Sequence, residues 1–161
     1  MAAAAAVAGT PGIPLEIARH THNKHIVRCV LETHGLNKYQ PESLLVALVD
    51  PASDPANWHI LDADIADILG GYPVVVKPLS ERASRGVSFV YRAEQLQSAI
   101  KNILQYNDEY LVEQKLTGTE HSVEGIFGAD GSLLWFNIVD RFFDYSSSVP
   151  IETGHVNPST L

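Results

Sequence analysis

The stretch Pro73-Val74-Val75-Val76-Lys77-Pro78, followed shortly by Ser84-Arg85-Gly86-Val87, constrains this chain more than any other. An apolar run of β-branched residues favours a strand, because branched side chains pack well on a pleated surface. The run ends in a single lysine, and a turn-forming stretch leads from it into a second short strand. That layout sets a cation at a strand end, beside a loop whose backbone N–H groups can point at an anion. A lysine snorkelling out of a sheet edge accounts for Val-Val-Val-Lys by itself equally well, so the meaning of Lys77 depends on what accompanies it.

The surrounding elements follow from periodicity and breakers. Residues 2–8 can be helical, and Thr10-Pro11-Gly12-Ile13-Pro14 ends that helix. Over 23–34, Ile26, Val27, Val30 and Leu31 recur at helical spacing and Gly35 stops the helix. A compact apolar strand is expected over 44–49, a loop with two prolines over 50–57, and a short helix over 62–69 closed by Gly70-Gly71. The run 73–77 reads as a strand buried on both faces. Further strands are expected over 87–91 and 110–116, with a helix over 93–105 between them. Strands 121–127 and 132–143 then form a hairpin around Ala129-Asp130-Gly131, a strong turn signal. From Tyr145 the chain is rich in Ser, Pro and Gly and reads as an unpaired coil. The pattern is α+β: a small α/β lobe, then an antiparallel β-hairpin lobe, meeting near Tyr110.

Composition narrows the function. A length of 161 residues with 45% hydrophobic residues supports a buried core. A net charge of -8 without a Lys/Arg cluster excludes a nucleic-acid footprint. No apolar run approaches the roughly 20 residues that span a bilayer. The single Cys29 forms no internal disulfide and suits a reducing, cytoplasmic setting. His20, His22 and His25 do not share one helical face and no cysteine joins them, so they read as solvated histidines rather than metal ligands.

Two glutamates complete the pattern around Lys77. Glu113 ends an apolar strand, and Glu120 follows in Glu113-Gln114-Lys115-Leu116-Thr117-Gly118-Thr119-Glu120-His121-Ser122-Val123. Either glutamate alone would be a solvated strand-end charge. Together with the lysine strand and the Ser/Gly loop, they closely resemble the ATP-grasp superfamily, from about Lys24 onward. Its pattern runs from a lysine opening a helix, through a P-V-V-V-K-P strand and a loop ending in G-V, to E-x-x-L-x-G-x-E-x-S-V.

The resemblance implies roles. Lys77 would bridge the α- and β-phosphates of ATP, and Lys24 would be the earlier nucleotide-contacting lysine. Ser84, Arg85 and Gly86 fall in the loop that folds over the phosphates, where successive N–H groups make an anion nest. Glu113, Gln114 and Leu116 match the connection whose backbone reads the adenine edge. Glu120 matches the carboxylate that takes the ribose hydroxyls, a job suited to a group accepting two hydrogen bonds. The resemblance also implies a division into 1–21, the end of a preceding domain and linker, 22–109, a first ATP-grasp subdomain, and 110–161, the start of a second.

Three departures stand out. The loop Leu79-Ser80-Glu81-Arg82-Ala83-Ser84-Arg85-Gly86 has one glycine where relatives often have several, and Glu81 adds a negative charge. Lys115 stands where many relatives carry an aromatic residue. The family's magnesium ligands are expected beyond Leu161, so the chain reads as an internal piece of a larger enzyme, incomplete at both ends and by itself inactive. The segment Pro150-Ile151-Glu152-Thr153-Gly154-His155-Val156-Asn157-Pro158 looks like the E-x-G-H-x-x-P segment of bacterial L-amino-acid ligases and carnosine synthases. In that branch Glu152 and His155 lie by the amino-acid substrate.

The function implied is the ATP-binding core of an ATP- and magnesium-dependent carboxylate–amine ligase, which forms an amide through an acylphosphate and releases ADP. Its partners would be ATP and small carboxylate and amine substrates, amino acids among them, with a homodimer as one candidate assembly and neither nucleic acid nor membrane. The rivals are a non-catalytic nucleotide-binding piece and a carboxylase of the biotin-carboxylase type.

Overall fold

A computed structural model of the chain describes residues 2–10, 12–47, 55–106, 109–146 and 150–161. The chain divides into two compact units, Met1–Lys115 and Leu116–Leu161. The sequence reading set the division near Tyr110. The strand that begins there pairs inside the first unit, so the observed division falls later.

The first unit opens with helices α1 (Ala2–Ala8), α2 (Leu15–His20) and α3 (Lys24–Thr33). Helix α2 was not anticipated, although Glu16 in its first turn and Arg19 and His20 in its last suit the helix dipole. Asn23 caps α3, its side-chain oxygen accepting from the N–H groups of His25 at 3.0 Å and Ile26 at 3.1 Å. Strand β1 (Ser43–Ala47) follows; residues 48–54, with the end of the expected strand and most of the expected loop, lie outside the described residues. Helix α4 (Pro55–Leu69) starts well before the expected residue 62. Proline fits a first turn, where its missing N–H costs nothing. Strands β2 (Val74–Pro78) and β3 (Ser88–Val90), helix α5 (Leu96–Ile103) and strand β4 (Glu109–Gln114) complete the unit.

These strands form one antiparallel sheet in the order β1-β4-β2-β3. Val76 faces Val112 and Pro78 faces Tyr110 across β2 and β4, while Val75 faces Glu113 and Lys77 faces Leu111. Strand residues alternate faces, so these two sets lie on opposite sides. The first side carries the core. Leu61, Ile65 and Leu69 of α4 and Leu96, Ala99, Ile100 and Ile103 of α5 pack on Val74, Val76, Val90, Tyr110 and Val112. The expectation that β2 is buried on both faces is corrected. Only Val74, Val76 and Pro78 are buried, and Val75 and Lys77 stand half-buried on the other side, away from α4 and α5.

The second unit is an antiparallel sheet of β5 (Glu120–Phe127), β6 (Leu133–Asp144) and β7 (Ile151–Val156), in that order. Asp130 shapes the expected turn, its carboxylate accepting from Ser132 N at 3.0 Å and Ser132 Oγ at 2.6 Å. The tail does not remain an unpaired coil. β7 returns along β6, with Asp140 opposite Val156 and Arg141 opposite His155. Its polar composition hid it, since Glu152, Gly154 and His155 leave no alternating apolar pattern to read. No helix among the described residues is long and apolar enough to cross a membrane.

Asp140 ties the chain end to β6. It accepts from Ser159 Oγ, from Thr160 N and Thr160 Oγ1, each at 2.9 Å, and lies 2.9 Å from His121 Nδ1. The Ser159 hydroxyl and then the Thr160 amide hold its carboxyl down to about 2, below the ordinary 3.8. A carboxyl depressed in the folded state stabilises it fully above the unfolded value, and that contribution fades as pH falls through the folded value. Between about pH 4 and pH 2 the second unit is therefore expected to lose stability, and Asp140→Asn to flatten that loss. Thermal melts of both proteins across this range check it; parallel acid limbs would contradict it.

Candidate functional site

The face of the first sheet opposite α4 and α5 gathers a cluster of charge. Lys77 on β2 and Glu113 on β4 lie on that face because of the register given above, and Glu113 Oε2 pairs with Lys77 Nζ. Glu113 is almost wholly buried, with 4% of its side chain exposed. Its other oxygen, Oε1, accepts from Arg28 Nε at 2.7 Å. Arg28 belongs to α3, one turn after Lys24, so both side chains leave the same helix face.

Lys24 reaches the root of the loop that leaves β2. Its Nζ donates to the carbonyls of Pro78 at 3.1 Å, Leu79 at 3.3 Å and Glu81 at 2.8 Å, and its backbone N–H donates to Leu79 O at 2.9 Å. Burial, and then the neighbouring Lys77 ammonium, push its pKa down. The loop closes through Arg85 N to Arg82 O at 3.2 Å and Val87 N to Ser84 O at 3.1 Å. Ala83 and Ser84 adopt φ of 52° and 57°, and Gly86 a φ of 72°. A Cβ on Gly86 would sit 3.1 Å from both Pro78 Cγ and Tyr106 Cδ2, so this position needs glycine for both its backbone and its space. Arg85 turns toward Glu81 at 3.3 Å.

The site residues expected from the sequence therefore distribute as follows. Lys24, Lys77 and Glu113 come together in the first unit, with Ser84, Arg85 and Gly86 on the adjacent loop. Glu113 gives its side chain to the two cations. Gln114 ends β4 with its N–H committed to Glu42 O at 3.0 Å, and the Lys115 ammonium lies 5.3 Å from the Phe89 ring centre. Leu116, Glu120, Glu152 and His155 belong to the second unit. There Glu120 faces Arg141 across β5 and β6, and Arg141 faces His155 across β6 and β7. Arg141 binds Glu152 through both arms, at 3.3 Å from Nε and 2.6 Å from Nη2. That guanidinium holds the Glu152 carboxyl below the usual carboxylate range. Tyr145 OH donates to Glu120 Oε1.

Sequence reasoning missed Arg28 and Arg141. Arg28 carried a signal, its spacing from Lys24; Arg141 carried none until the strand register placed it between Glu120 and His155. Among the described residues no group of three or more His, Cys, Asp or Glu could hold a metal ion.

Comparison with known proteins bears on these residues. A family model described as the ATP-grasp domain matches residues 70–161. A D-alanine–D-alanine ligase of Glaesserella parasuis is 39% identical over 90 residues, 55% of this chain and 30% of that protein. One of Halorhodospira halophila is 35% identical over 101 residues, 62% of this chain and 33% of that protein. The matches thus span about a third of these relatives' length. Among solved structures, a D-Ala:D-Ser ligase from Enterococcus faecalis superposes with a TM-score of 0.75 at 17% identity, over 97% of this chain and 44% of that one. An L-amino acid ligase from Bacillus licheniformis gives 0.61 at 22% identity, over 87% and 29%. At these identities the structural likeness is one of fold.

Proposed function

The chain belongs to the ATP-grasp family, and on that premise we propose that it carries the nucleotide-binding part of an ATP-dependent carboxylate–amine ligase. The whole protein would phosphorylate a carboxylate with ATP, and an amine would displace the phosphate to give an amide. One observation supports this most: Lys77 stands beside Arg28 and Lys24, three cations near the two carboxylates Glu113 and Glu81, at the foot of a loop of backbone N–H groups. Such an arrangement suits an anion.

In this reading Lys77 meets the phosphates and the loop of Ser84, Arg85 and Gly86 lies over them, with the Arg85 N–H already given to Arg82 O. Lys24 pins the loop's root and adds charge behind it. Because the Gln114 N–H is spent on Glu42, base reading by Gln114 falls to its carbonyl, with Leu116 offering the donor. Glu120 takes the ribose hydroxyls. Glu152 and His155, with Arg141 between them and Glu120, lie toward an amino-acid substrate. Magnesium is the family's usual companion of ATP. A cytoplasmic setting suits an ATP-consuming enzyme with one free thiol.

The relatives named D-alanine–D-alanine ligase and the L-amino acid ligase join an amino-acid carboxylate to an amino-acid amine, and we propose that substrate class for this protein. An ADP-release screen of the whole protein against pairs of amino acids tests it. Release that needs both partners is the expected result. Release driven by bicarbonate without an amine would favour the carboxylase alternative and overturn the ligase reading.

A further inference from the structure

Glu113 is a buried carboxylate whose two oxygens serve different cations: Oε2 takes Lys77 and Oε1 takes Arg28. Arg28 is itself fixed. Its Nη1 lies 3.4 Å from Gln40 Oε1, and Gln40 Nε2 donates to the Arg28 main-chain carbonyl at 3.2 Å, so one carboxamide holds both the head and the backbone of the arginine. The arginine side chain is 18% exposed. A glutamate facing Lys77 alone could rotate with it and would cancel its charge at contact. With Oε1 held by a fixed guanidinium, the carboxylate has one orientation and divides its charge between two cations.

We propose that Arg28 is a positioning residue for phosphate recognition: acting through Glu113, it fixes the Lys77 ammonium at one place on the sheet face opposite α4 and α5. The inference rests on the nucleotide reading above and adds to it a residue that touches no nucleotide. It makes Arg28 matter for phosphate affinity and not for adenosine, and makes its effect conditional on Glu113.

Two measurements test it. The first needs no nucleotide. In a 1H–15N spectrum tuned to lysine ammonium groups, the held Lys77 ammonium is expected to give a resolved signal in the wild-type chain and to broaden beyond detection in Arg28→Met. A Lys77 signal unchanged in the variant would overturn the proposal. The second is calorimetry with ADP and adenosine on Arg28→Met, Glu113→Gln and the double variant. Arg28→Met is expected to weaken ADP at least tenfold with adenosine within twofold, and to change ADP less than threefold once Glu113 is Gln, because the route is already cut. Equal losses in both backgrounds would show direct action by Arg28 and overturn it. The double variant also covers the case in which Arg28→Met unfolds, since it removes the buried carboxylate that would keep only one of its two cations. A wild-type chain with no ADP affinity overturns the nucleotide reading and with it the role in phosphate recognition. The ammonium spectrum still decides whether Arg28 positions Lys77, so the two failures are told apart.

Discussion

Lys77→Met is expected to weaken ADP binding by roughly a hundredfold and to leave adenosine binding within about twofold. A charge-assisted hydrogen bond to phosphate contributes about 1.5–3 kcal/mol, and every 1.4 kcal/mol is about a tenfold change in affinity. Lys77 is the cation on β2 that the register points away from the core, so its loss removes charge from that face and leaves the side packed by α4 and α5 untouched. The variant also takes one of the two cations from a carboxylate that is 4% exposed. Pairing Lys77→Met with Glu113→Gln relieves that strain on folding and keeps the binding readout clean. Calorimetry with the two ligands decides it. An equal loss for ADP and adenosine would mean that Lys77 supports the fold and not the phosphates.

Gly86→Val carries the second large effect, a loss of about 3 kcal/mol or more of stability in denaturant melts. The left-handed φ of 72° costs a side chain about 1–2 kcal/mol, and a β-branched one more. Crowding adds to this, because Pro78 and Tyr106 already stand 3.1 Å from the first atom that a side chain would introduce, and overpacking costs about 1–3 kcal/mol. Gly70→Val separates the two terms. Gly70 has a φ of 76° but nothing within 4 Å of an added Cβ, so it should lose only the backbone part. Equal losses at the two positions would show that the packing of Pro78 and Tyr106 does not shape this loop.

Short-range chemistry in the sequence went far toward this account. The valine run predicts β2, Asn23 predicts the start of α3, and Ala129-Asp130-Gly131 predicts the turn before β6, because each signal is local. What the sequence withheld depends on pairing between distant residues. Glu113 reads as an end-of-strand acid until β4 is set against β2, and its bond to Arg28 joins positions 85 apart. That Lys77 leaves the face opposite α4 and α5 follows from alternation only once those helices are known to cover the other. Strand β7 gained its place from β6 rather than from its own composition. The start of α4 was missed because a proline marks both a loop and a helix's first turn.

The central claim, that phosphates sit at Lys77, is open to chemical mapping. An acyl-phosphate derivative of ATP transfers its acyl group to whichever lysine amine lies beside the phosphates, forming an amide and releasing ATP. The chain has five lysines, Lys24, Lys38, Lys77, Lys101 and Lys115, so peptide mass spectrometry reads the answer directly. The account predicts acylation concentrated on Lys77, with Lys24 second because three carbonyls hold it, and loss of both on adding excess ADP. Acylation spread evenly over Lys38, Lys101 and Lys115, or unaffected by ADP, would contradict it.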